Sequence, residues 1–220
     1  MTQQTDAADW QARLVAGAGQ LGLELRAAQI EQLWQLAGML RERNRVMNLT
    51  SVDSLDGILT VHMFDSLAVV PHLGAARQIV DIGTGGGFPG LPLAIACPER
   101  EFLLIDGTQK KIRFVQEVVA TLRLANARAE AVRAEQLRPV ARFDAAVVRA
   151  VGSLRSIIEV AAKLVDAMDG RILALKGKRP DNELANLPVG WRADAIPLAV
   201  PGLDAERCLV VLTHQSRQRR

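Results

Sequence analysis

The run Ile79-Val80-Asp81-Ile82-Gly83-Thr84-Gly85-Gly86-Gly87-Phe88-Pro89-Gly90 constrains this chain more than any other stretch. An apolar strand pattern passes directly into a turn dominated by glycine. Glycine tolerates positive φ and presents bare peptide, so a ligand can lie against the backbone at such a turn. Asp81 stands just before it.

The rest of the chain is organised around this turn. Residues 9–44 are periodic at helical steps, with Ile30, Leu33, Trp34, Leu36, Ala37 and Leu40 on one face, and Trp34 is expected in the core. Leu21-Gly22 ends a first helix, Asn48-Leu49-Thr50-Ser51 breaks a second, and a helical run over 55–70 is closed by Pro71. Strand and helix patterns then alternate. Strands are expected at 78–82, 101–105, 129–132, 144–149, 171–175, 191–198 and 207–213, and helices at 91–96, 109–122 and 153–165. Five β-α steps imply a parallel, doubly wound α/β sheet with right-handed crossovers. Only Val200-Pro201-Gly202-Leu203-Asp204 separates the last two strands, which should form an antiparallel hairpin at one edge. Residues 1–72 are expected as a helical extension packed on a domain of residues 73–220, whose tail carries Arg217, Arg219 and Arg220.

Composition narrows the class. With 220 residues, 49% of them hydrophobic, the chain can bury the core of one α/β domain with an extension. No segment is long and apolar enough to span a membrane, and the polar start with Asp6 and Asp9 does not read as a secretory signal. Cys97 and Cys208 lack C-x-x-C spacing, which suits a reducing cytoplasm. His62, His72 and His214 show no ligand spacing, so no metal is expected. The net charge is only +3, and only five of the 27 basic residues are lysine. Arginine offers phosphate a planar fork of donors, but taken alone a coding bias toward arginine and an ordinary solvated tail account better for this pattern.

Glycine turns after strands serve two cofactor classes. The dinucleotide pattern G-x-G-x-x-G fails from Gly83, where Phe88 takes the sixth position, but is met by Gly85, Gly87 and Gly90. That register starts late and encloses Pro89. The alternative, acid-x-G-x-G-x-G at Asp81, Gly83, Gly85 and Gly87, resembles motif I of the class I S-adenosylmethionine methyltransferases. An acid at the strand end suits the positive sulfonium. Asp106, about twenty residues past the turn, stands where an acid commonly accepts from ribose hydroxyls. The antiparallel finish resembles the seven-stranded methyltransferase sheet and departs from an all-parallel dinucleotide domain.

Taken in order, Asn48-Leu49-Thr50, His62-x-x-Asp65-Ser66-Leu67, the turn from Asp81 to Gly90, and Lys110-Lys111 after Asp106 resemble the bacterial glucose-inhibited division protein B family. Arg149, Lys176-Gly177 and Leu203-Asp204-x-Glu206-Arg207 extend the resemblance over most of the chain. It implies a cytoplasmic class I methyltransferase that uses S-adenosylmethionine to methylate guanine N7 in the 530 loop of 16S ribosomal RNA. Its partners would be 16S rRNA or the small ribosomal subunit, with no membrane, and the protein would act as a monomer. The resemblance also implies cofactor contacts by Phe88, Ala134, Glu135 and Arg149, beside Asp81, Gly83, Gly85, Gly87 and Asp106.

Guanine N7 has an in-plane lone pair and no hydrogen, so no general base is needed and the enzyme works by positioning and electrostatics. The chain fits by omission, because the fourth strand ends Val148-Arg149-Ala150 and not in the Asn-Pro-Pro-aromatic clamp of amino-group methyltransferases. Arg149 cannot grip both O6 and N7, since that would occupy the attacking lone pair. It orients the cofactor, binds O6 or a phosphate, or is a buried arginine paired with an aspartate. His62, Asp65 and Ser66 share a helix face that either walls the base pocket or fastens the extension to the domain. Lys176 and Arg207 lead the candidates for RNA contact, followed by Arg123, Lys110 and Lys111. Two other functions stay open on residues alone: an NAD-dependent oxidoreductase, and a non-catalytic RNA-binding ribosome assembly factor.

Overall fold

The computed structural model describes residues 2–150 and 152–215. Its strands are β1 (Gln78–Ile82), β2 (Glu101–Asp106), β3 (Ala127–Ala131), β4 (Ala145–Arg149), β5 (Arg171–Lys176), β6 (Trp191–Pro197) and β7 (Cys208–His214), in the spatial order β3-β2-β1-β4-β5-β7-β6. The first five are mutually parallel, whereas β7 runs antiparallel to both β5 and β6. The expected hairpin is present, with its second strand inserted against β5 and its first pushed to the edge. β1, β4 and β5 are buried on both faces, which is why their sequences are almost continuously apolar.

Helices α5 (Gly90–Ala96), α6 (Gln109–Thr121), α7 (Leu154–Ala161) and the short α8 (Asp181–Ala185) follow β1, β2, β4 and β5. The first three stand where helices were expected and α8 is additional, while of the five β-α steps the one from β3 to β4 has no helix. Residues 132–144 cross from β3 to β4 as turns, because Pro139 interrupts so short a stretch, and Leu137 and Phe143 pack on the sheet instead.

The amino-terminal helices share one face of the sheet with α5 and α6, opposite α7. α1 (Thr2–Gln20) and α2 (Ala27–Met47) bury Trp10, Leu14, Leu33, Leu36 and Leu40 in one cluster with Ile79, Leu91, Phe102 and Phe114. Trp10, not Trp34, is the buried indole, and Trp34 rests half-buried against it with ring centroids 5.2 Å apart. Gln29 ties the layers together. Its Oε1 accepts from the Arg26 amide at 2.8 Å at the start of α2, while its Nε2 donates to the Ile95 and Ala96 carbonyls at the end of α5.

The run expected as one helix over 55–70 is α3 (Leu55–Gly57), a π-helical segment Ile58–Phe64, and α4 (Asp65–Leu67), with Pro71 inside a following 3₁₀ turn. Ser54 caps its start by accepting from the Gly57 amide. The wider π turn carries His62 and leads directly into Asp65, and such insertions are frequent at functional sites. α1 crosses this run at Gly17, where an added Cβ would stand 2.2 Å from the buried Phe64 ring. Gly17→Ala is expected to destabilise the protein by about 1–3 kcal/mol through overpacking. Thermal unfolding followed by circular dichroism should show a midpoint lowered by several degrees.

Candidate active site

The parallel strands all point their carboxyl ends to one side, and two cavities open there. The first, about 410 Å³, is walled by Gly83, Ile82 and Val148 from strand ends, by Ile105, Asp106 and Thr108 from β2 and beyond, by Val132 to Glu135 after β3, and by Ile157 and Val160 of α7. Apolar walls with a few convergent polar groups suit a small molecule with a flat ring. Asp106 is the charged group at its floor. Its Oδ2 accepts from the Gly85 amide at 3.1 Å and its Oδ1 from the Thr108 amide at 2.7 Å. A carboxylate has about four lone-pair sites, so two remain for a ligand's hydroxyls. Gly85 has φ +59°, and a Cβ built there would meet only the Gly83 carbonyl, at 3.9 Å. The space above the turn is open.

Asp81 is elsewhere than the sequence suggests. It is fully buried beneath the turn, not on the cavity wall. Its Oδ2 accepts from the Thr84 hydroxyl at 2.6 Å and the Gly90 amide at 2.8 Å, while Oδ1 has no hydrogen-bond partner among the described residues. Burial pushes its pKa up to about 6, against the pull of those two donors and of the Arg149 charge. A Cβ at Gly90 would lie 2.6 Å from Asp81 Oδ2, so glycine is required there for α5 to approach. This arrangement also argues against the Gly85, Gly87, Gly90 register. The amide it would offer a pyrophosphate is already given to a buried acid that would repel one.

The second cavity, about 370 Å³, opens on the other side of the β4 end. Val148 walls the first cavity, and Arg149 and Ala150 wall the second, with Val61, His62, Asp65, Leu175, Lys176, Gly177 and Arg207. Asp65 is its centre. Its Oδ2 accepts from Arg149 Nη1 at 3.3 Å and its Oδ1 from Arg207 Nε at 2.9 Å, so one carboxylate holds two guanidiniums. Arg149 also donates to the Val61 carbonyl at 3.0 Å and to His62 Nδ1 at 3.2 Å. Because arginine only donates, Nδ1 must accept, and Nε2 then carries the proton that it gives to Thr50 Oγ1 at 2.8 Å. The His62 ring stacks on Phe88 at 4.7 Å, and the Arg149 guanidinium carbon lies 5.5 Å from the Phe88 centroid. Burial, helped by the Arg149 charge, lowers the His62 pKa to about 3.

Of the two uses the sequence leaves open for His62 and Asp65, the geometry combines both. They wall a cavity and bind the amino-terminal layer to β4 and to the lead-in of β7. Ser66 does neither, because it is buried and its hydroxyl donates to the His62 carbonyl at 2.6 Å. Arg149 is in the ion pair that the sequence reading held open for it. The expected RNA contacts separate. Lys176 Nζ is held by the Gly152 carbonyl at 2.9 Å and by both Glu183 carboxylate oxygens. Lys110 and Lys111 begin α6 at the cavity end, with Lys111 Nζ 3.9 Å from Asp106. Arg123 follows α6 and precedes β3, which places it at the opposite end of the sheet. The tail arginines 217, 219 and 220 lie outside the described residues. Among the described residues, no group of three or more metal-ligating side chains is present and no helix is long and apolar enough to cross a membrane. Thr50 drew notice only within Asn48-Leu49-Thr50, and the apolar wall from Val148, Ile157 and Val160 has no signal of its own in the sequence.

A sheet with an antiparallel last strand, a glycine turn after β1 and an acid closing β2 define a class I methyltransferase. Solved structures share the fold: the O-methyltransferase TomG from Streptomyces achromogenes in complex with SAM (TM-score 0.56, 17% identity, 88% of this chain and 92% of that one), and magnesium protoporphyrin IX methyltransferase from Synechocystis PCC 6803 with bound SAM (0.55, 16%, 80% and 96%). The family profile for rRNA small subunit methyltransferase G (GidB) matches residues 29–210. The chain is 42% identical to ribosomal RNA small subunit methyltransferase G of Cupriavidus necator, over 96% of this chain and 98% of that protein, and 42% identical to the same protein of an Azoarcus species, over 91% and 94%. The chain belongs to the rRNA small subunit methyltransferase G family.

The buried neutral histidine sets an acid sensitivity. An unfolded chain protonates His62 below pH 6.5 and the folded chain does not until about pH 3, so stability is present above pH 6.5 and is lost as pH falls. The loss reaches about 2 kcal/mol at pH 5. His62→Gln should flatten this slope. Urea unfolding of both proteins at pH 5, 6 and 7 measures it, and parallel slopes would assign the sensitivity to other groups.

Proposed function

We propose that this protein transfers a methyl group from S-adenosylmethionine to N7 of a guanine in the 530 loop of 16S rRNA, in the cytoplasm. The observation that carries the proposal is the pair of cavities meeting at the end of β4, one fitted to a nucleoside and one lined by guanidiniums, in a chain of the rRNA small subunit methyltransferase G family. The first cavity fits the cofactor on chemical grounds: an acid with spare lone pairs, open space above Gly85, and an apolar slot ending at the buried Ala134. When bound, S-adenosylmethionine supplies a methyl carbon carried on a sulfonium, so that transfer to a ring nitrogen moves the positive charge to the purine and releases no proton.

The residues of this chain then have positioning work only. Asp106 would accept from the ribose hydroxyls, the peptides at Gly83, Gly85 and Gly87 would hold the amino acid part, and Ala134 and Glu135 would border the adenine. Phe88 closes the turn toward the second cavity, and Arg149 holds the partition between donor and acceptor. Asp81 acts from below by fixing the turn. Lys110 and Lys111 supply charge for RNA phosphate, which makes affinity fall with salt.

Methyl label from S-adenosylmethionine should enter 16S rRNA in small subunits at one guanine, mapped by mass spectrometry as the N7-methyl base. Label confined to a free small molecule or to another base would overturn the assignment. An RNA that is bound and never labelled would favour an assembly factor. Asp106→Asn should weaken S-adenosylhomocysteine binding roughly ten-fold or more, measured by calorimetry, through loss of a charged acceptor.

A further inference from the structure

Resting on that reading, we infer that Arg207 selects guanine in the second cavity by donating one N–H to guanine O6, with Asp65 as the residue that positions it. Three observations lead to this.

The first is a donor inventory. Arg149 spends three of its five N–H groups on protein acceptors: both Nη1 hydrogens on the Val61 carbonyl and Asp65, and one Nη2 hydrogen on His62. Lys176 is held by Gly152 and Glu183. Arg207 has five N–H groups and, among the described residues, uses two, Nε on Asp65 and one Nη1 hydrogen on the Glu206 carbonyl at 2.9 Å. The remaining donors belong to a side chain 21% exposed in the cavity wall.

The second is orientation. Asp65 is 5% exposed and takes Arg207 on one oxygen and Arg149 on the other. The fork of Arg207 is thereby fixed from behind by an anchored group, since Asp65 starts α4 in the buried run after the π segment. A preorganised donor in a partly desolvated cavity gives more discrimination than a flexible surface charge.

The third is the chemistry of the purine edge. Guanine presents O6 and N7 there, both acceptors, and adenine presents an amino donor in place of O6. A single N–H to O6 leaves the N7 lone pair free to attack a methyl donor. Adenine would set donor against donor and leave Arg207 unpaired, which is how a polar site rejects an analogue.

The experiment uses small subunits reconstituted around 16S rRNA carrying guanine, inosine or 2-aminopurine at the target position. Inosine keeps O6 and lacks the 2-amino group, whereas 2-aminopurine lacks O6. The wild-type protein should methylate guanine and inosine comparably and 2-aminopurine on the order of 10- to 100-fold more slowly in kcat/KM. Arg207→Gln should lose that factor on guanine and inosine and leave 2-aminopurine unchanged. Arg207→Lys keeps the charge beside Asp65 and should restore RNA affinity but not the discrimination. S-adenosylhomocysteine affinity, unchanged in both variants, reports an intact fold. An equal loss by Arg207→Gln on all three bases, or a reduced salt dependence with the base preference kept, would make Arg207 a phosphate contact and overturn the inference. Loss of S-adenosylhomocysteine binding in both variants would make it a structural residue, with the same consequence. A wild-type protein that labels none of the three overturns the underlying functional reading as well, and is distinguished by that result.

Discussion

Asp81 is a carboxylate with no exposed surface, placed near the end of β1 and covered by the turn that forms the ligand cradle. Burying it is costly, and its raised pKa records that cost. What it returns is geometry: one oxygen joins β1, the Thr84 hydroxyl and the first amide of α5. Strand, turn and helix are held at one point, and every residue of the nucleoside cavity is positioned relative to it. The acid fixes the shape of the cradle and does not face its contents.

A second buried carboxylate works in the same manner at longer range. Asp65 lies 84 residues from Arg149 and 142 from Arg207 in sequence, and holds both. The amino-terminal helices are therefore more than an added layer. They supply Thr50, His62 and Asp65 to the functional end of the sheet, while Leu40 and Leu49 lie under the turn itself, 3.5 and 3.7 Å from where a Gly86 Cβ would stand. Separating the extension from the sheet would leave two arginines without their counter-charge and expose the underside of the turn.

The sheet was legible because its central strands are buried on both faces and flanked by glycine, proline and amphipathic helices, signals carried by local composition. The glycine turn and Asp106 were legible for the same reason: their places in the fold follow from a strand end and a spacing. Asp81 was misplaced because motif spacing gives its position along the chain and says nothing of depth. The surroundings of Arg123 and Lys176 were not legible, because charge is visible in a sequence and its place and partners in the fold are not; Glu183 and the Gly152 carbonyl are brought to Lys176 by folding alone. The π segment was hidden inside an ordinary helical pattern. His62-x-x-Asp65 drew notice by spacing, but the arginines that give it meaning come from β4 and the lead-in of β7.

The insertion of β7 between β5 and β6 has a consequence for how the protein is made. Chains emerge from synthesis amino end first, and the early part of the sheet can assemble as it appears. The strand that joins β6 to the rest is the last in sequence, and Arg207 immediately precedes it. Until that strand docks, β6 has no neighbour and Asp65 lacks one of its two guanidiniums. Completion of the sheet and completion of the second cavity are thus a single event, because the arginine that walls the one stands at the start of the strand that closes the other.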